Sequence, residues 1–258
     1  MLMNIASMVI AIVLLASVPQ VQADHTPLPD SITPLRATWL WGHHSIPGTI
    51  TSDGSPYWYA YPHTDSSHID DPPWTKVAAR QVKAGMKAPA VIYLHGCTGM
   101  YRGGVGYRVL LLELGFAVFE PDAYARPGHT CDGSSYIQRR EEAAYALEQV
   151  RLLHWIQQDR VVLIGFSEGG RAAGSWSEPG FAAIVIAAAK ADHKAPEGTP
   201  VLAIAGANDN WAQPSSYSMN RALPSRAVLI KDASHEIISH PEFKSILRQF
   251  LTDAVLTR

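Results

Sequence analysis

Arg160-Val161-Val162-Leu163-Ile164-Gly165-Phe166-Ser167-Glu168-Gly169-Gly170 is the stretch on which the reading of this chain turns. Residues 161–164, after Arg160, form a short apolar run, which fits a strand buried on both faces. Glycines stand two before and two after Ser167, and helix-forming residues follow. A chain that turns at once from strand to helix, with a serine at the apex, brings the −2 and +2 residues against each other. Both must be small, and Gly165 and Gly169 are. Gly170 relieves the packing further. Glycine and serine are common, so the pentapeptide alone is a weak signal. Between a buried strand and a helix it points to Ser167 as a nucleophile on a sharp turn. The helix that begins there is expected to aim its N-terminus at the reacting centre, where it favours negative charge. The alternative is a glycine-rich turn with an idle serine.

Working outward, the periodicity predicts strands over 88–94, 116–119, 160–164, 181–188, 201–205 and 227–230. It predicts helices over 107–114 and 138–157, from 168 onward, and over 241–256. The last of these carries Phe243, Ile246, Leu247, Phe250 and Leu251 on one face. Residues 24–73 are rich in Pro, Gly, His and aromatic side chains. Short strands over 36–41 and 57–61 are expected there, with loop between. Apolar strands alternating with helices indicate an α/β fold, a mostly parallel sheet with helices on both faces. There is little room for a large cap domain. Ligands bind such sheets at the carboxyl ends of the strands.

A serine nucleophile needs a base, and the base needs an oriented tautomer. His235 lies just after the strand at 227–230, at the carboxyl edge, whereas His240 precedes Pro241 at the entry to the final helix. His235 is therefore the expected base. Asp209 follows the strand at 201–205 through the small-residue turn Gly206-Ala207-Asn208, and is the expected acid. Asp192, Glu197 and Asp232 are weaker candidates, and Asp209 itself has a plain alternative as a turn residue.

Acyl transfer also needs backbone N–H donors for a developing oxyanion. One is expected at Glu168, after the nucleophile. The other should come from the loop after the strand at 88–94, from Cys97 or next from Thr98. His95 reads as a structural residue of that turn. Cys97 and Cys131 are the two cysteines of the chain. Each follows a strand, and the strands are consecutive, so both belong at one edge of the sheet. A disulfide is one reading, two buried thiols another. Cys97 as nucleophile is a third, against which stands its lack of an elbow pattern.

On these motifs the chain resembles the α/β-hydrolase superfamily and, within it, the dienelactone hydrolase-like branch. The carriers are Ile92-Tyr93-Leu94-His95-Gly96-Cys97-Thr98-Gly99, Gly165-Phe166-Ser167-Glu168-Gly169-Gly170, Gly206-Ala207-Asn208-Asp209 and Ala233-Ser234-His235, over residues 88–258. The resemblance implies hydrolysis of a small-molecule carboxylic ester through an acyl-enzyme. Dienelactone hydrolases proper use a cysteine nucleophile, so this chain is more similar to a serine carboxylesterase on that scaffold. The same triad also serves peptidases and acyltransferases, and a binding protein on a hydrolase fold is a reading of a different class. In proteins of this resemblance the loop at 121–131 borders the active site. Thr98, Tyr124, Arg126, Arg171 and Trp211 are thereby candidate pocket residues. Arg102, Arg126 and Arg171 would suit an ester carrying a carboxylate, or else pair with surface acids. Trp176 is either pocket wall or core.

Composition bounds the rest. Of 258 residues, 47% are hydrophobic and 17% charged, which is globular and not disordered. With 21 Lys plus Arg against 23 Asp plus Glu, the chain has no general attraction for nucleic acid. Residues 5–18 are almost unbroken apolar, and Val21-Gln22-Ala23 fits a cleavage site. Residues 1–23 are therefore expected to be a signal peptide, 24–258 the hydrolase domain, and the product exported, periplasmic or secreted. No positive side chain precedes the apolar run, so an uncleaved anchor is the alternative. No stable membrane association is expected after cleavage, and the oligomeric state is left open. No metal-ligand spacing or nucleotide fingerprint occurs, and His43-His44 make a poor chelate because neighbours face apart. No cofactor and no metal are expected.

Overall fold

The strands and helices are assigned on a computed structural model that describes residues 28, 32–60, 78, 81–100, 104–190, 194–212 and 224–257. The signal segment, Arg102 and Asp192 lie outside these residues. Eight strands form one sheet: β1 (His43–Ile46), β2 (Tyr57–Ala60), β3 (Ala88–Leu94), β4 (Ala117–Glu120), β5 (Ile156–Phe166), β6 (Ala183–Ala187), β7 (Val201–Gly206) and β8 (Arg226–Ile230). Their order is β2-β1-β4-β3-β5-β6-β7-β8. From β4 to β8 every pairing is parallel, while β1 runs antiparallel to both β2 and β4. The α-helices named among the described residues are α1 (Pro34–Leu40), α2 (Gly104–Glu113), α3 (Tyr136–Arg151), α4 (Glu168–Gly174) and α5 (Pro241–Leu251).

Strand alternation sorts the core into two layers. Ala90, Ile92, Leu94, Val161, Leu163, Ile184 and Ile186 face a cluster that includes Ala143, Leu147 and Val150 of α3 and Ala172 of α4. Val91, Tyr93, Val162, Ile164, Val185 and Ile204 face Leu110 and Leu111 of α2 and Phe243, Leu247 and Phe250 of α5. The amphipathic α5 thus lays its apolar stripe on the sheet, as its spacing predicts, but α-geometry stops at Leu251 and a π turn covers Thr252–Leu256.

Four local expectations differ. Residues 36–41 are not a strand. All but Trp41, the C-cap, belong to α1, which Thr33 caps by accepting the Arg36 N–H at 3.2 Å and which Pro34 opens at its first turn. A proline with a preset φ and a satisfied cap outweigh the β preference of Thr38 and Trp39. Residues 43–46, read as loop, form β1, buried at all four positions because β2 and β4 flank it. The helix predicted to run to 157 ends at Arg151, and the chain re-enters the sheet at Ile156, so β5 begins before Arg160. Finally, β8 is an edge strand with Leu229 exposed, not a strand buried on both faces.

Candidate active site

Parallel register brings the strand ends to one level. Leu94 pairs with Gly165, Phe166 with Ala187, Ala187 with Ile204, and Gly206 with Ile230. The loops after β3, β5, β7 and β8 therefore leave the same edge, and they carry Cys97, Ser167, Asp209 and His235.

Ser167 occupies φ 55°, ψ −114°. This backbone is rare for a residue with a Cβ and costs on the order of 1–3 kcal/mol. Close approach on both sides imposes it. A Cβ on Gly165 would sit 2.0 Å from the Gly169 carbonyl oxygen, and one on Gly169 would sit 2.1 Å from that of Leu94. The Ser167 N–H donates to Ala187 O across the sheet at 2.9 Å, which ties the turn to β6.

His235 lies between Ser167 and Asp209. Its Nδ1 is 2.8 Å from Asp209 Oδ2, and its Nε2 is 2.8 Å from Ser167 Oγ. A carboxylate only accepts, so the ring proton belongs on Nδ1 and Nε2 is free to accept from the serine hydroxyl. Asp209 is buried, and its second oxygen accepts the Trp211 N–H at 2.8 Å. The loops of acid and base are laced together: Ala207 N–H donates to Ile230 O, and Asn208 N–H to Ala233 O, both at 2.9 Å. Gly206 permits this, because a Cβ there would meet Ala233 O and Ser234 O at 2.3 Å. Phe166 packs on the His235 ring at 5.3 Å between centroids.

Two backbone N–H groups of the adjoining loops, those of Cys97 and Glu168, have no acceptor among the described residues. Cys97 is disulfide-bonded to Cys131 with their Cα atoms 5.7 Å apart, which takes it out of consideration as a nucleophile in this state. The buried Glu168 carboxyl lies against both sulfurs, with Oε2 3.2 Å from Cys131 Sγ and 3.8 Å from Cys97 Sγ. Burial pushes this carboxyl above the usual carboxylate range. The three groups are the one cluster of metal-ligand type among the described residues. With both sulfurs tied to each other, neither is a thiolate and the set is no metal centre.

The remaining candidates are dispersed. Thr98 is exposed beside Cys97, and the Tyr124 hydroxyl donates to Cys97 O. Arg126 Nη2 pairs with Glu141 at 2.7 Å, and Arg171 donates to Gly133 O at 2.6 Å while lying 4.8 Å over the Tyr136 ring. Both guanidinium groups are engaged within the protein, Arg126 by an acid and Arg171 by a backbone carbonyl and a ring. Trp211 is 79% exposed, whereas Trp176 is core, packed on Phe181. His240 caps α5 by accepting the Glu242 N–H, and Glu197 and Asp232 are exposed loop residues.

Sequence reasoning missed a buried cluster beneath the Cys97 loop. Arg139, wholly buried, pairs with Glu142 and donates to His95 O at 3.1 Å. No local signal marks it, because Arg and Glu on a helix ordinarily read as a solvated face.

Solved structures of other proteins share the fold. Est1E from Butyrivibrio proteoclasticus superposes with a TM-score of 0.50 at 17% identity, over 65% of this chain and 88% of that one. A candidate dienelactone hydrolase from Klebsiella pneumoniae gives 0.51 at 19% identity, over 66% and 87%. The chain has the α/β-hydrolase fold. The ferulic acid complex of Est1E gives 0.51 at 15% identity, over 67% and 91%. No protein-family profile matches the sequence, and no curated protein does. Within the α/β-hydrolase fold, Ser167 takes the position after β5 that its strand-turn-helix context predicts.

Proposed function

We propose that this protein is an exported serine hydrolase that cleaves a small-molecule carboxylic ester through an acyl-enzyme on Ser167. The observation that carries the reading is the hydrogen-bonded run from Asp209 through His235 to Ser167, with 2.8 Å at each link. Ser167 Oγ attacks the ester carbonyl while His235 Nε2 takes its proton. Asp209 stabilises the imidazolium and keeps Nδ1 protonated. The carbonyl oxygen becomes an oxyanion, and the N–H groups of Cys97 and Glu168 supply its hydrogen bonds. Collapse expels the alkoxide, which leaves as the alcohol after taking the proton from His235. Water then repeats the sequence on the acyl-enzyme, releasing the acid and restoring the serine.

The ferulic acid held by Est1E supports a small organic acid as the acyl part. The internal pairing of Arg126 and Arg171 favours an uncharged ester over one carrying a carboxylate. Export rests on the apolar run and cleavage pattern of residues 1–23, and the Cys97–Cys131 bridge suits an oxidising compartment.

The test is turnover of a p-nitrophenyl ester panel, with matched anilides and added alcohols, by mature protein and by Ser167→Ala. The expected result is ester hydrolysis that falls by roughly 10⁴-fold or more in the variant. Amide cleavage faster than ester cleavage, or ester product dominating in alcohol, would replace the assignment by a peptidase or an acyltransferase.

A further inference from the structure

Three consecutive carbonyls after β3 are each held by a side chain. His95 O accepts from Arg139 Nη2 at 3.1 Å. Gly96 O lies 2.7 Å from His95 Nδ1 and also accepts the Gly99 N–H at 3.1 Å. Cys97 O accepts from the Tyr124 hydroxyl. The tautomer of His95 is set from its other side. The Ala123 N–H points at His95 Nε2 at 3.2 Å, closer than the Asp122 carboxylate oxygen at 3.6 Å, and a backbone N–H only donates. Nε2 must therefore accept, the proton must sit on Nδ1, and Nδ1 donates to Gly96 O. Burial and the nearby Arg139 charge hold His95 below the usual histidine range, so the neutral ring with one proton is the form present at neutral pH.

In a trans peptide unit the C=O and the following N–H point in opposite directions. Drawing Gly96 O onto the His95 ring therefore turns the Cys97 N–H away from the cluster. Drawing His95 O onto Arg139 fixes the preceding plane in the same manner. This loop lies against the nucleophile, since a Cβ on Gly96 would be 3.0 Å from Ser167 Cβ. We propose that His95 and Arg139 are positioning residues that, by holding the His95 and Gly96 carbonyls, aim the Cys97 N–H at the oxyanion. The inference rests on the esterase reading above and adds to it a preorganised donor built from side chains. Arg139 is itself held by Glu142 in the same buried layer, so the device is anchored in α3.

The experiment uses three variants of the mature protein, with sites counted by completed fluorophosphonate titration. His95→Leu keeps the apolar volume and removes the Nδ1 donor. His95→Asn restores a donor, because its amide nitrogen can stand where Nδ1 stood. Arg139→Met with Glu142→Leu removes the bond to His95 O while replacing a buried ion pair by apolar groups, a change proteins often tolerate. For His95→Leu and the double variant, kcat should fall by at least roughly 10-fold and by no more than the roughly 10²- to 10³-fold that loss of an oxyanion donor costs, with KM within about twofold. Affinity for a trifluoromethyl ketone, which forms a hemiketal oxyanion on Ser167, should fall by the same factor. His95→Asn should recover most of both. Should His95→Leu fail to fold, the double variant reads the same quantities. Wild-type kcat and ketone affinity in folded His95→Leu or in the double variant would overturn the positioning role alone. An inactive, unlabelled wild type would overturn the esterase reading and this inference with it.

Discussion

Ser167 is kept in an unfavourable backbone well by contacts too short to admit one further carbon. Adding a methyl at position 165 tests this directly, since its Cβ would lie 2.0 Å from Gly169 O and 2.7 Å from Gly170 N. Both contacts are backbone, so nothing flexible can yield. Gly165→Ala is expected to cost about 1–3 kcal/mol of stability and, by moving Oγ off His235, on the order of 10²-fold in kcat. Thermal melting and turnover per labelled site check the two parts separately. At this scale the sequence was most informative where the constraint is local. Gly165 and Gly169 are legible because the turn they permit spans five residues, and Asp209 and His235 because strand ends mark them. Arg139 was not, because its burial depends on Glu142 and on a carbonyl 44 residues away.

At the level of elements, the loops after β3 and β4 are joined by a disulfide across a separation of 34 residues. In the chain-entropy account, closing a loop of that length stabilises the native state by about 3–4 kcal/mol. Replacing both cysteines by alanine is therefore expected to lower the melting temperature by on the order of 10 °C. Thiol titration of denatured, unreduced wild type should find no free thiol. Two free thiols would remove the bridge from the account. Elements were legible in the sequence from β3 to β7, where apolar runs mark strands in the interior of the sheet. They were less so before β3. β1 owes its burial to pairing with β4, which is over seventy residues distant, and α1 is revealed by a cap and a proline that a β-rich composition obscures.

For the molecule as a whole, buried neutral histidines link folding to pH. His44 is 1% exposed, its Nε2 donates to Trp39 O at 2.8 Å, and burial holds its pKa down to about 3 from 6.5. The unfolded chain takes up this proton below about pH 6.5 and the folded protein does not until about pH 3. The stability involved is fully present above 6.5 and is lost as pH falls towards 3, at up to ~1.4 kcal/mol per pH unit for the one proton. Denaturant unfolding from pH 7 to pH 4 should show this decline, and His44→Gln should show a shallower one. Equal slopes in the two proteins would contradict it.

The central claim is that Ser167 is the activated nucleophile. Reaction of the purified protein with a fluorophosphonate, followed by peptide mass spectrometry, measures this without knowledge of the natural substrate. The account predicts one label per chain, on Ser167, lost in Ser167→Ala and strongly slowed in His235→Ala. Label on another residue, or none on a folded protein, would contradict it.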